Sequence, residues 1–230
     1  MQARQHKARV TAVKQLSPAV KGITVQVGEK NFHFLPGQFV MAAQEEYPSV
    51  SRAYSIAAAQ DNNHIELCIK ILEKGALSSA LNKIKEGDQL LIDGPYGKFV
   101  LQEAQEDLIF IAGGTGIAPI RAMLQALWKQ GKKNEMWLFY RFKEQESYLY
   151  REEWEAAAQE RKNFHLIPST RGSSQWKGET DRPQLLLKKY IATPEGKEVY
   201  VCGSPEMVRE ISADLLDQGF TREQLHREMW

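Results

Sequence analysis

The chain is short of cysteine, of net charge and of long apolar runs. Only two cysteines, Cys68 and Cys202, occur among 230 residues, far apart and each inside an apolar run. Two thiols cannot supply the four that ligate an iron–sulfur cluster, nor a cysteine-based zinc site or a disulfide framework. Any redox chemistry must then use an organic cofactor or a metal held by a partner. The formal net charge is +1, too small for the broad field that draws a protein to nucleic acid or an anionic membrane. No apolar run is long enough to span a bilayer; even Leu108–Ile120 is short and is broken by Gly113, Gly114 and Gly116. The first nine residues lack the apolar stretch of a signal peptide, so a cytoplasmic location is expected.

What is present changes character partway along. Up to about residue 100, short apolar or alternating runs recur at Ala8–Leu16, Val20–Val27, Phe39–Ala43, Ala53–Ala57, His64–Leu72 and Gln89–Ile92. Turn residues separate them at Pro36-Gly37, Asp61-Asn62-Asn63, Glu86-Gly87-Asp88 and Gly94-Pro95. Such spacing predicts antiparallel strands in a barrel or sandwich. One helix is expected, over Leu77–Ile84, where Leu77, Leu81 and Ile84 recur at helical spacing.

From about Asp107, strands and helices alternate. Leu108–Ala112, Met136–Tyr140, Phe164–Ile167 and Glu198–Cys202 read as buried strands. Ile117–Gln130, Arg151–Arg161, Gln184–Tyr190 and Met207–Gln218 read as helices, the last capped near Ser204. That alternation predicts a parallel sheet. A polar stretch at Leu101–Gln105 separates the patterns, giving expected domains at 1–103 and 104–230.

Two motifs suggest chemistry. In Phe110-Ile-Ala-Gly-Gly-Thr-Gly-Ile-Ala-Pro-Ile120 a buried strand runs through glycines into a helix. Free backbone N–H groups and the positive helix end then meet at one point, which attracts a pyrophosphate. Pro119 stands where the dinucleotide fingerprint has its third glycine, and suits a first helical turn. A tight strand–helix turn without a ligand would also use these residues. In Ser51-Arg-Ala-Tyr-Ser-Ile56, an extended strand points Arg52 and Tyr54 to one face and Ser55 to the other. An arginine fork suits a diphosphate, and a tyrosine ring can stack on a flat heterocycle. A surface strand with no ligand remains the alternative.

Together these residues resemble the ferredoxin–NADP reductase superfamily. Arg52-Ala-Tyr-Ser55 is similar to its R-x-Y-S flavin motif, Gly75-Ala-Leu-Ser78 to its diphosphate loop, and Gly94-Pro-Tyr-Gly-Lys-Phe99 to the segment closing the flavin barrel. Gly113–Pro119 resembles the nucleotide loop, Cys202-Gly-Ser-Pro-Glu-Met207 the C-G-x-P-x-M motif, and Glu228-Met-Trp230 the family's carboxylate and terminal aromatic. Six motifs stand in family order over nearly the whole chain.

The resemblance implies a Greek-key antiparallel barrel for FAD, followed by an α/β parallel-sheet domain for NADP or NAD. It implies that Arg52, Ala53, Tyr54, Ser55, Ile69 and Lys70 contact FAD, with Gly75, Ala76, Leu77 and Ser78 at the diphosphate and Trp230 over the isoalloxazine. Thr115 would approach the flavin or the nicotinamide nucleotide. Gly113, Gly114, Gly116, Arg141, Thr170, Arg171, Cys202 and Gly203 would hold the nucleotide. Ser55, Cys202 and Glu228 would be the catalytic groups: Ser55 beside the flavin, Cys202 beside the nicotinamide, Glu228 on the proton path. For Cys202 a buried structural cysteine, and for Glu228 a solvated charge beside Arg227, are the plain alternatives.

After the second strand stands Arg141, where an NADH-specific chain often has an acid. Ser169-Thr-Arg171 resembles the family's pair for the 2′-phosphate, with Thr170 in the serine's place, and Arg182 adds a third cation. Trp176-Lys-Gly178 is instead similar to NADH-using relatives. The balance favours NADPH, with NADH open. The expected partner is a separate acceptor such as ferredoxin or flavodoxin, or an oxygenase component. A free flavin reductase and a non-catalytic relay subunit remain alternatives.

Overall fold

A computed structural model describes residues 5–28, 32–59, 63–72, 74–103, 106–172 and 175–230. Asp61 and Asn62 of the expected turn, and residues 104–105 of the expected linker, lie outside the described residues, as does the side chain of Ala76.

The first unit is a barrel of β1 (Gln5–Ser17), β2 (Val20–Val27), β3 (Phe39–Gln44), β4 (Tyr47–Ala59), β5 (His64–Lys70) and β6 (Gln89–Tyr96). Every neighbouring pair is antiparallel, in the order β1-β2-β5-β4-β3-β6. Pairing of Gln5 with Asp93 through Arg9 with Gln89 closes the ring, so no strand keeps an open edge. Alternation turns Val10, Ile23, Val25, Val40, Ile65, Leu67 and Leu90 into one core. The helix α1 (Ala76–Lys83) adds Leu77 and Leu81 to that core, with Ile84 just beyond it. β4 begins well before the expected Ala53. Its leading half, Tyr47 to Arg52, carries no apolar alternation, and its pairing with β3, Gln44 with Tyr47 and Ala42 with Arg52, makes it a strand.

The second unit is a parallel sheet of β7 (Asp107–Gly113), β8 (Met136–Phe142), β9 (Phe164–Thr170), β10 (Lys197–Gly203) and β11 (Leu225–Met229), ordered β11-β10-β7-β8-β9. Its helices are α2 (Ile117–Lys129), α3 (Arg151–Glu160), α4 (Pro183–Tyr190) and α5 (Pro205–Asp217). Strands buried on both faces read as unbroken apolar runs, which is why β7 and β10 are legible without alternation. Ile109, Ile111, Val199 and Val201 pack with Leu186, Leu187, Val208, Ile211 and Leu215 of α4 and α5. The opposite-facing residues Phe110 and Tyr200 stack, ring centroids 5.4 Å apart.

Compact packing groups Arg121–Leu127, the middle of α2, with the barrel. Within that unit Arg121 donates to the Glu66 carboxylate at 3.1 Å and the Ala57 carbonyl at 3.4 Å. The fifth strand of the sheet, β11, is not among the four expected. No described helix is long and apolar enough to cross a membrane.

Candidate active site

On the barrel, β4 carries Arg52, Ala53, Tyr54 and Ser55 opposite Ala42, Met41, Val40 and Phe39 of β3. Arg52 is exposed, its Nη1 donating to the Ser51 carbonyl at 2.8 Å, and it forms no ion pair among the described residues. Tyr54 packs against the barrel core, and burial pushes its phenol up against the opposing pull of the Arg52 cation. Ser55 is buried. Lys70 is exposed at the end of β5, whereas the Ile69 side chain is wholly in the barrel core. Only the Ile69 backbone is therefore left for a ligand.

Beside β3 and β4 lies α1. Its start is open: Gly75 precedes it at φ +125°, no side chain caps it, and its first turn has no acid. The N–H groups of Ala76, Leu77 and Ser78 have no partner within the helix. A Cβ on Gly75 would meet nothing within 4 Å, leaving clear space before those donors. Ser78 Oγ accepts from the Leu72 N–H at 3.2 Å, which leaves its own proton to donate. This is a cradle for an anion with two or more phosphate oxygens.

In the second unit the expected residues gather at the carboxyl ends of the strands, where open α/β sheets bind ligands. The glycines after β7 have two separate reasons. A Cβ on Gly113 would strike Met207 Sδ, and one on Gly116 would strike the Cys202 carbonyl, so both are required by packing. Gly114, at φ +54°, faces open space, and Tyr140 donates to its carbonyl at 3.1 Å. Thr115 follows in the same single 3₁₀ turn, half-buried. A ligand can therefore approach at Gly114, while Gly113 and Gly116 let the turn pack.

At the far end of the sheet, Arg141 Nη1 donates to the Thr180 carbonyl at 3.2 Å and to the Asp181 carbonyl, with Ser169 Oγ at 3.5 Å. Burial, then the nearby Arg171 and Arg182 charges, push the Arg141 guanidinium down against the pull of Asp181. Three cations thus share one corner. Thr170 does not join them: it is fully buried, and its hydroxyl donates to the Lys143 carbonyl at 2.8 Å. The buried Ser169 hydroxyl, one residue earlier, faces Arg141 instead. The family resemblance sets Thr170 in this place; strand alternation separates the two neighbours, turning one hydroxyl to the Lys143 carbonyl and the other to Arg141. Trp176 packs edge-on against Phe142, 5.2 Å between centroids, and donates to the Glu179 carbonyl at 2.9 Å.

Cys202, Glu228 and Trp230 meet at the other end. Parallel pairing sets Cys202 against Glu228 and Gly203 against Met229, and the Trp230 N–H donates to the Gly203 carbonyl at 3.0 Å. Burial, reinforced by the Glu228 charge, pushes the Cys202 thiol well up; a hydrogen bond from the Trp230 side chain opposes it. Cys202 is therefore a neutral thiol, suited to contact and not to nucleophilic attack. Burial also pushes the Glu228 carboxyl up to about 7, again opposed by a Trp230 side-chain hydrogen bond. Glu228 Oε2 is buried with no hydrogen-bond partner among the described residues, and Trp230 keeps 40% of its surface exposed. Beyond Gly203, Ser204 accepts from the Met207 N–H at 3.3 Å and Pro205 opens α5, fixing the turn after Cys202.

Comparison with known proteins bears on the fold and its two cofactor-binding parts. Residues 7–101 match the oxidoreductase FAD-binding domain, and residues 110–213 the oxidoreductase NAD-binding domain. The chain is 32% identical to ferredoxin–NADP reductase B of Sorangium cellulosum, covering 100% of this chain and 99% of that protein. It is 29% identical to the phenol hydroxylase P5 protein of Acinetobacter pittii and 31% to the toluate 1,2-dioxygenase electron transfer component of Pseudomonas putida. The matches cover 97% and 93% of this chain but only 65% and 64% of those relatives' lengths. A solved ferredoxin NADP+ reductase from Neisseria gonorrhoeae shares the fold, with TM-score 0.88, 23% identity and 99% of each chain covered. The full-length match, the paired FAD and NAD domains and the shared architecture converge: the chain belongs to the ferredoxin–NADP reductase family of flavoenzymes.

Proposed function

We propose that this chain is an NADPH-oxidising flavoprotein that hands electrons to a separate acceptor protein, a ferredoxin or flavodoxin. The observation that carries the reading is the cluster of Cys202, Glu228 and Trp230: a neutral thiol, a buried carboxyl with a free oxygen and an aromatic ring on one sheet edge. The FAD-binding part is taken as 1–103 and the nucleotide-binding part as 104–230. Bound FAD would supply the exchange between two-electron and one-electron chemistry that no side chain provides.

The chain's own residues bind, orient and handle the proton. Arg52 and the open N–H groups of α1 hold the diphosphate of FAD, with Ser78 donating beside them. Tyr54, fixed against the barrel core, offers its ring to the flavin; Ala53, Lys70 and the Ile69 backbone lie alongside. Ser55 donates to the flavin ring. Gly114 and Thr115 face the nucleotide pyrophosphate, while Gly113 and Gly116 keep the turn tight enough to do so. Cys202 and Gly203 seat the nicotinamide, Trp230 shields the flavin face, and Glu228 holds a proton near neutrality. Arg141, Arg171 and Arg182 together favour the 2′-phosphate, hence NADPH over NADH.

Two buried cysteines outside any disulfide suit a reducing compartment, and action in the cytoplasm is part of the proposal. A second reading, the reductase component of an oxygenase, is favoured by the phenol hydroxylase and toluate dioxygenase relatives, which carry further length outside the matched part. The deciding experiment is an anaerobic titration of the FAD-loaded protein with NADPH and, separately, NADH. Bleaching of the visible flavin band by NADPH at the lower concentration is expected. FAD bound but bleached by neither nucleotide would overturn the reading.

A further inference from the structure

We infer that His226, held by Glu198 and stacked on Tyr200, is the outlet through which Glu228 exchanges its proton with water. The inference rests on the function proposed above. Loss of a hydride from NADPH yields NADP+ and delivers two electrons and one proton. One-electron acceptor proteins take only the electrons, so one proton per NADPH must reach solvent from a shielded site.

Strand alternation sets His226 and Glu228 on the same face of β11, about 7 Å apart along the strand. In register beside them on β10 stand Tyr200 and Cys202. The imidazole lies on the Tyr200 ring, centroids 4.5 Å apart and planes at 19°. Its Nε2 is 3.1 Å from Glu198 Oε2, to which the Tyr200 hydroxyl donates at 3.2 Å. That hydroxyl also accepts from the Gln102 N–H at 3.1 Å, so Tyr200 is fixed from both sides and the imidazole has one plane to occupy. The row thus runs from Glu228 Oε2, buried and without a partner among the described residues, to a pair whose side chains keep 23% and 24% of their surface in water.

Among the described residues, these groups border the row. β10 contributes Glu198, Tyr200 and Cys202. β7 contributes Phe110 and Ala112, which cannot titrate. The segment before β7 contributes the Gln102 backbone, and the end of β11 the Trp230 ring. Arg227 points to the opposite face by alternation. One bridging water would span the step from Glu228 to His226, and an imidazole can accept a proton on one ring nitrogen while the other gives one up.

The test is stopped-flow proton release, read with a pH-indicator dye, as the FAD-loaded protein oxidises NADPH with a one-electron acceptor such as ferricyanide. Bleaching of the flavin band in the same mixture without acceptor is the reference. In His226→Gln, proton release falls about a hundredfold against that reference, the low end for a positioned proton-transfer group. Added imidazole restores it. Glu198→Gln, which keeps a partner for Tyr200, gives a smaller fall in the same direction. In the infrared, the Glu228 carboxyl band, identified by its loss in Glu228→Gln, moves its titration midpoint in His226→Gln. Proton release at the wild-type rate in His226→Gln, or a fall that imidazole does not restore, overturns the inference while the proposed function stands. No bleaching by NADPH or NADH in the wild type overturns the function and this inference with it.

Discussion

Cys202 and Glu228 stand opposite each other in register on β10 and β11, and the Glu228 charge adds to burial in keeping the Cys202 thiol protonated. A carboxyl and a thiol that burial disposes against ionisation make a site with little fixed charge. Such a site can receive a nicotinamide without first displacing tightly held counter-ions.

Glu228→Gln should flatten two pH dependences. The folded carboxyl titrates near 7, above the ordinary 4.5, so between these values the folded protein binds more protons than the unfolded chain. Its contribution to stability is therefore whole below about 4.5, falls as pH rises to about 7, and is level beyond. Thermal unfolding between pH 4.5 and 8 should show this slope in the wild type and lack it in Glu228→Gln. Turnover with NADPH should lose an inflection near pH 7 in the same variant. Identical profiles for the two proteins would remove Glu228 from both roles.

Arg171→Ala should raise KM for NADPH and leave that for NADH nearly unchanged. Arg171 is one of three cations at that corner, and a hydrogen bond to a charged group contributes about 1.5–3 kcal/mol. That corresponds to roughly ten- to a hundredfold in KM. Equal changes for both nucleotides would mean that the arginine does not read the 2′-phosphate.

Gly116→Ala should cost more stability than Gly113→Ala. The added methyl meets the backbone carbonyl of Cys202 in the first case and the flexible thioether of Met207 in the second. Overpacking costs about 1–3 kcal/mol, and a backbone neighbour that cannot swing aside belongs at the upper end. Urea midpoints of the two variants check the order, and a Gly113→Ala protein as weak as Gly116→Ala would contradict it.

Ser55→Ala should retain FAD yet slow its reduction by NADPH. The hydroxyl is buried on β4 beside Tyr54 and opposite Phe39, so its loss removes a donor without opening the barrel. Rapid-mixing bleaching rates at equal FAD occupancy test it. Unchanged rates would leave Ser55 a packing residue.

What was legible beforehand was local. Alternation in Val20–Val27 and His64–Lys70 declares half-buried strands. The unbroken run of β7, followed by glycines and an apolar helix, declares a parallel strand and its turn. Both are written in periods of a few residues. The leading half of β4 and all of β11 were not legible, because neither has a strong apolar pattern. Leu225 and the polar residues after it become a strand because β10 offers an edge to pair with.

By itself the sequence determined which residues could be functional: the cysteine count, the glycine run and the order of six motifs depend on no long-range contact. Only the tertiary structure decided what each does. It turned Thr170 inward and Ser169 toward Arg141, and found packing reasons for Gly113 and Gly116. It set Glu228 beside a thiol 26 positions earlier in the chain. Burial, register and the field of distant charges are properties of neighbours in space, and the same carboxyl titrates as an ordinary acid until the fold removes its water.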